Sequence, residues 1–134
     1  MLVGMTQETT RPRHEPAIRV TAMPADTNCY GDIFGGWMMS QMDLAAGSLA
    51  ARHAGGRAVT IAVEGMSFHQ PVHVGDEVSV YAELLATGRT SMKIAVEAWR
   101  RHRNSDESYK VTEAVFTFVA IGDDGRPRPV GALT

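Results

Sequence analysis

Asp43 is the residue whose chemistry most needs explaining. Between Gly35 and Ala51 the only polar side chains are Ser40, Gln41, Asp43 and Ser48, and no basic residue follows before Arg52. Aspartate is a mediocre helix former, and an unpaired carboxylate in such surroundings is poorly solvated, which is how general bases are often made. Ser40, Asp43 and Gly47 form a narrow strip of small and polar residues beside an apolar stripe. The plain alternative is that this strip faces a partner chain and Asp43 accepts backbone or serine hydrogen bonds there. Eight residues upstream, Gly35-Gly36 opens the same stretch. Two glycines at a helix N-terminus let a ligand approach unbonded N–H groups at the positive end of the dipole, a ready oxyanion site; a helix cap that happens to be glycine is the simpler account. Asn28, in the preceding loop, offers an amide to orient water or hold a carbonyl, or else closes an Asx turn.

Other familiar sites are absent from the sequence. It contains no GxGxxG, GxxxxGK or GxSxG pattern; Gly65-Met66-Ser67-Phe68-His69 lacks the second glycine of the last. His69 and His73 are separated by Pro71 in a strand-to-turn region, not on a helix, which argues against a helical metal pair and for no metal at all. The single cysteine, Cys29, excludes an internal disulfide and a cysteine-based zinc site; with no adjacent His or Lys it reads as a small buried apolar residue. Thirteen Lys and Arg against fifteen Asp and Glu leave a net charge of −2, which argues against nucleic acid as a partner. With no secretory signal and no apolar run of about 18 residues, the expectation is a soluble, cytoplasmic protein that does not bind membranes.

The elements that must position these residues follow from the hydrophobic patterning of 134 residues, 44% apolar and 21% charged, enough for one domain. Residues 1–16 lack periodicity and read as a flexible lead-in, residues 17–122 as the domain, and residues 123–134, with Pro127 and Pro129, as a loose tail. Ile18 to Met23 is a short strand stopped by Pro24. From Gly35 to about His53 the period is helical, with Phe34, Met38, Met42, Ala45 and Leu49 on one stripe, and Gly55-Gly56 as the stop. Trp37, Met39, Leu44, Ala46 and Ala50 make the helix apolar on most other sides, so it should be wrapped by other structure. Four strand-like runs follow: 58–68, 78–84, 92–98 and 111–121. The economical arrangement is an α+β domain in which an antiparallel sheet of five to six strands curls around one long central helix.

Several motifs, in order, carry a resemblance. Met23-Pro24-Ala25-Asp26-Thr27-Asn28, Gly31 to Trp37 and Met39-Ser40-Gln41-Met42-Asp43 resemble the YciA-like acyl-CoA thioesterases of the hotdog superfamily. So do Val63 to Phe68, Pro71, Val74-Gly75-Asp76, Gly88-Arg89-Thr90-Ser91 and Val115 to Ala120, so the resemblance spans about residues 18–122. It implies the hotdog fold and hydrolysis of acyl-CoA to acid and CoA without metal or other cofactor. It also implies that Asn28, Gly35, Gly36 and Asp43 occupy the active-site positions. Cys29-Tyr30 departs from the small or amide residues expected beside Asn28, and Tyr30 is placed to narrow the acyl entrance.

Asp43 lies about 12 Å along the helix from Gly35, too far to share a substrate carbonyl within one chain. A two-fold dimer with antiparallel facing helices removes the problem: Asn28 and the Gly35-Gly36 turn come from one chain and Asp43 from the other. The resemblance extends this to a hexamer, a trimer of dimers. For the CoA phosphates, Arg89 with Thr90 and Ser91 is the expected cationic patch; Arg100, Arg101 and Arg103 are either a second one or a solvated strand end. Two other classes remain on the same fold: a non-catalytic acyl-CoA binding module, and a dehydratase, which would need a buried His that neither the loop nor the helix supplies before His53.

Overall fold

The computed structural model describes residues 10–131. Most of the expected lead-in, residues 1–9, and the end of the expected tail, residues 132–134, lie outside the described residues. The elements are β1 (Ile18–Thr21), a short 3-10 turn (Pro24–Asp26), α1 (Gly35–Ala54), β2 (Ala58–Phe68), β3 (Glu77–Thr87), β4 (Ser91–Arg101) and β5 (Ser108–Ala120). All pairings are antiparallel, in one sheet of order β1-β3-β4-β5-β2. The anticipated sequence of one strand, one helix and four strands is what forms.

Period-two alternation decides which face of the sheet meets α1. Met92, Ile94, Val96 and Ala98 of β4 are buried, whereas Lys93 between them is exposed. The β4–β5 register sets Met92 opposite Phe118 and Ile94 opposite Phe116, so cross-strand neighbours share the apolar layer. α1 contributes Met38, Met42, Ala45, Ala46 and Ala50 from the opposite side. The alanines keep the helix close to the sheet while the two methionines fill the gaps. Burying a side chain such as Ile94 or Phe116 stabilises the fold by about 1.5–3 kcal/mol relative to exposing it.

The expected single long helix on an antiparallel sheet is what forms, and three details differ. First, the side of α1 away from the sheet stays open: Met39 and Leu44 remain 40% and 61% exposed. A single five-stranded sheet is not wide enough to enclose the helix, and β2, its outermost strand on that side, leaves Val59, Ile61 and Phe68 40%, 59% and 49% exposed. Second, the tail is fastened as far as Gly131. Ile121 bridges to Pro127, the Arg128 guanidinium donates to the carbonyls of Ala54 (2.9 Å) and Ile121 (3.2 Å), and the Val130 N–H donates to the Arg89 carbonyl (2.9 Å). Helix C-termini leave carbonyls in need of donors, and Arg128 supplies one for α1. Third, Cys29 is exposed, because it stands in a loop that closes on itself and not against the core.

One irregularity shapes the region of interest. The β2–β5 register shifts between Glu64 and Ser67, and Gly65 there has φ +74°, a bulge that turns the end of β2. The turn brings the Phe68 ring over the start of α1, where a Cβ on Gly35 would lie 3.2 Å from it.

Candidate active site

The loop before α1 is built around Asn28. Its side-chain oxygen accepts from the N–H groups of Tyr30 (2.9 Å) and Asp32 (3.1 Å), while its main chain pairs with Asp32 and Gly31. Asn28 therefore does close an Asx turn, and the turn fixes the amide: with the oxygen occupied, the Nδ2 hydrogens are what it has to offer. Tyr30, expected to narrow the acyl entrance, is 84% exposed and lines no part of the apolar cavity described below.

The loop delivers the chain into α1 through Phe34, whose extended backbone makes it the cap without a side-chain hydrogen bond. The first helical bonds are from the N–H groups of Trp37 (3.1 Å) and Met38 (3.3 Å) to the Phe34 carbonyl. The amides of Gly35 and Gly36 precede them and have no partner among the described residues. Phe68 flanks Gly35 and Phe34 folds back to within 3.2 Å of where a Gly36 Cβ would stand, so two rings frame two donors. Beside them lies a cavity of about 230 Å³ lined chiefly by Ile33, Phe34, Met38, Phe68, Val72 and Val111. Larger clefts, of about 300 and 720 Å³, lie along residues 10–13 and contain none of the expected site residues.

Asp43 is half-buried, and its Oδ1 accepts a 2.5 Å hydrogen bond from the Thr60 hydroxyl of β2. The unpaired, poorly solvated carboxylate of the sequence reading is thus absent from the single chain; the carboxylate is tethered at one oxygen, next in sequence to exposed Leu44. Ser40, part of the same strip, turns its hydroxyl inward to the Trp37 carbonyl (2.7 Å). Thr60 was not legible as a partner, because only the β2–β5 pairing opposite Phe118 sets it over α1.

Arg89 and Thr90 occupy the β3–β4 turn and Ser91 opens β4. Arg89 is exposed and its guanidinium has no partner among the described residues. The contacts of Val130 with Arg89 and of Arg128 with Ala54 put this turn by the C-terminal end of α1. α1 has 20 residues, so at 1.5 Å each that end is about 30 Å from Gly35. Asn28, Gly35 and Gly36 thus cluster at one end of the helix, Asp43 stands midway, and Arg89 at the other end. The second arginine cluster does not form one solvated strand end: Arg103 is exposed, but its two neighbours are engaged. Arg100 is buried, donates to Gln70 (3.1 Å) and stacks over the Tyr109 ring, while Arg101 pairs with Glu77 (3.3 Å).

Residues 30–106 match the family model of the thioesterase superfamily, and the chain belongs to that family. The acyl-CoA thioester hydrolase YciA of Salmonella typhimurium is 50% identical over 129 residues, covering 94% of this chain and 97% of its own length. Among solved structures, a hexameric broad-specificity acyl-coenzyme A thioesterase superposes with TM-score 0.86 at 48% identity, covering 92% of this chain and 85% of its own. A hexameric hotdog-fold thioesterase of Campylobacter jejuni gives 0.83 at 37% identity, over 90% and 93%. The architecture of α1 against one antiparallel sheet is the hotdog fold.

Proposed function

We propose that this chain hydrolyses acyl-CoA thioesters to the free acid and CoA, in sites shared between two subunits. The observation that carries the reading is the pair of unbonded glycine amides beside an apolar cavity, with the one carboxylate of the helix held too far along it to reach them. A thioester carbonyl accepting from the Gly35 and Gly36 amides at about 3 Å gains strength from them as negative charge develops on its oxygen. Asn28, its oxygen engaged, directs Nδ2–H toward the same carbonyl or toward water. The cavity beside Phe34 and Phe68 takes the first part of the acyl chain.

Asp43 must then come from a second chain. The exposed side of α1, with Leu44, and the outer edge of β2 support this: an unpaired edge strand with exposed Val59, Ile61 and Val63 is a surface that soluble proteins cover. A two-fold axis there sets β2 against the partner's β2 and runs the two helices antiparallel, which brings the partner's Asp43 toward the Gly35 amides. It also brings the far end of the partner's helix, and with it the partner's Arg89, Thr90 and Ser91, to the side where the CoA phosphates would lie. Three such dimers would give a hexamer like those of the related structures. The water attacking the thioester loses its proton to Asp43, or Asp43 attacks directly and forms an anhydride that water then opens; in either route the C–S bond breaks and CoA leaves as the thiolate, which takes up a proton. Thr60 holds one carboxylate oxygen in both routes and leaves the other for the reaction. No metal or cofactor enters this scheme, and the cytoplasm, where acyl-CoA is made and consumed, is its expected compartment.

Free-thiol detection across a series of acyl-CoA chain lengths tests the activity. Turnover that collapses in Asp43→Asn supports the reading, and release of CoA at no chain length would leave only a binding module.

A further inference from the structure

Away from the helix N-terminus, His73, Asp76 and His102 form a cluster in which one ligating atom from each lies within 4.8 Å of the others. Asp76 is 2% exposed, and its carboxylate has no arginine or lysine partner among the described residues. Its Oδ2 accepts from the His73 main-chain N–H (2.9 Å) and lies 3.8 Å from His73 Nδ1, while Oδ1 is 2.9 Å from His102 Nδ1. A carboxylate this deep needs polar partners, and besides the His73 main-chain N–H two imidazoles are what the fold provides. Their rings face each other nearly parallel, 6.0 Å between centroids, and are 60% and 55% exposed, so both can move inward without disturbing the core.

We propose that these three residues bind a divalent transition-metal ion of the zinc class. Two neutral imidazole nitrogens and one carboxylate oxygen suit zinc, nickel or copper, and suit magnesium or calcium poorly. Bond lengths of about 2.0–2.2 Å require the ligand atoms to close to roughly 3–4 Å, a change that rotation of the exposed His73 accomplishes. Water fills the remaining positions. The ion would join the segment before β3 to the turn after β4. Asp76 and Gly75 already hold Ala22, the first residue of the loop that carries Asn28, through backbone bonds of 2.9 and 2.7 Å. Its place is therefore structural, at the base of that loop, and the hydrolytic scheme does not pass through it. The sequence put His73 beside His69; its partner in space is His102, which only the meeting of the loop before β3 with the end of β4 discloses.

Titration of the whole chelator-treated protein with Zn²⁺ in a calorimeter decides the matter. The expected result is saturable binding of one ion per chain, a Tm that rises with Zn²⁺ concentration, and no competition from Mg²⁺. His73→Ala, which removes an exposed side chain, should weaken binding at least about tenfold while leaving the metal-free Tm unchanged. His102→Ala should do the same to binding, and His69→Ala, outside the cluster, should not. Absence of saturable binding, equal binding by His73→Ala and the unaltered protein, or displacement by Mg²⁺ would each overturn the proposal.

Discussion

Mixing two damaged chains tests the shared site. Gly35 and Asp43 stand eight residues apart on one straight helix, about 12 Å. A carbonyl oxygen held at about 3 Å from the glycine amides is then well beyond proton-transfer reach of the Asp43 in the same chain. Asn28→Ala removes the amide on the glycine side, and Asp43→Asn removes the base while an amide oxygen can still accept from Thr60. Each homogeneous protein should retain about a hundredth of the normal kcat or less, since a positioned base contributes 10²–10⁴-fold and an oxyanion donor about 10²–10³-fold. Random exchange of an equimolar mixture makes half of the dimers mixed, and each mixed dimer has one intact site of two. About a quarter of the original activity should return, which stands at least about 25-fold above either parent. A continuous free-thiol assay during exchange, with mass-tagged chains to verify mixing, reads this directly. Activity that stays at the mean of the parents after verified exchange refutes the cross-subunit geometry and leaves hydrolysis itself standing.

Three further outcomes are expected. Asp43→Asn alone should lower kcat by about 10²–10⁴-fold with little change in thermal stability; a variant keeping more than about a tenth of kcat would make the carboxylate structural. Arg89→Ala should raise KM for acyl-CoA with a smaller effect on kcat, because phosphate contacts are made equally in ground and transition states; acyl-pantetheine substrates, which lack the nucleotide, should be indifferent, and equal damage to both would assign Arg89 to the fold. Gly65→Ala should cost about 1–2 kcal/mol through the left-handed backbone at φ +74°, with Gly65→Asn milder; identical thermal midpoints for all three proteins would mean that the bulge is unstrained or relaxes.

The core was legible where periodicity speaks for itself. Met38, Met42 and Ala45 fall on one helical stripe, Ile94 and Val96 alternate along β4, and all are buried as their spacing requires. The glycine amides were legible for the same local reason: a helix must begin after Phe34, and nothing polar caps it. What stayed hidden depends on residues distant in sequence. Thr60 meets Asp43 across 17 positions, Arg128 reaches Ala54 across 74, and Arg100 turns from a surface strand end into a buried group because Gln70 and Tyr109 receive it. Cys29 was misread because a lone cysteine is commonly buried, whereas the Asn28 turn holds this one in the open.

The mismatch over α1 is the most informative of these. Its sequence is apolar on more sides than one sheet can cover, and the covered side is the one that meets β2, β3, β4 and β5. Leu44 and Met39 are surplus to a single chain, and so are Ile61 and Val63 at the edge of β2. A lone enzyme would gain nothing from such residues beside its carboxylate. In the shared site proposed above, an interface would bury them, and the same burial would withdraw water from Asp43, strengthening its interaction with whatever charge the glycine amides stabilise. The desolvated carboxylate inferred from the sequence would then be a property of the proposed dimer, and the exposure seen in one subunit the reason for a second.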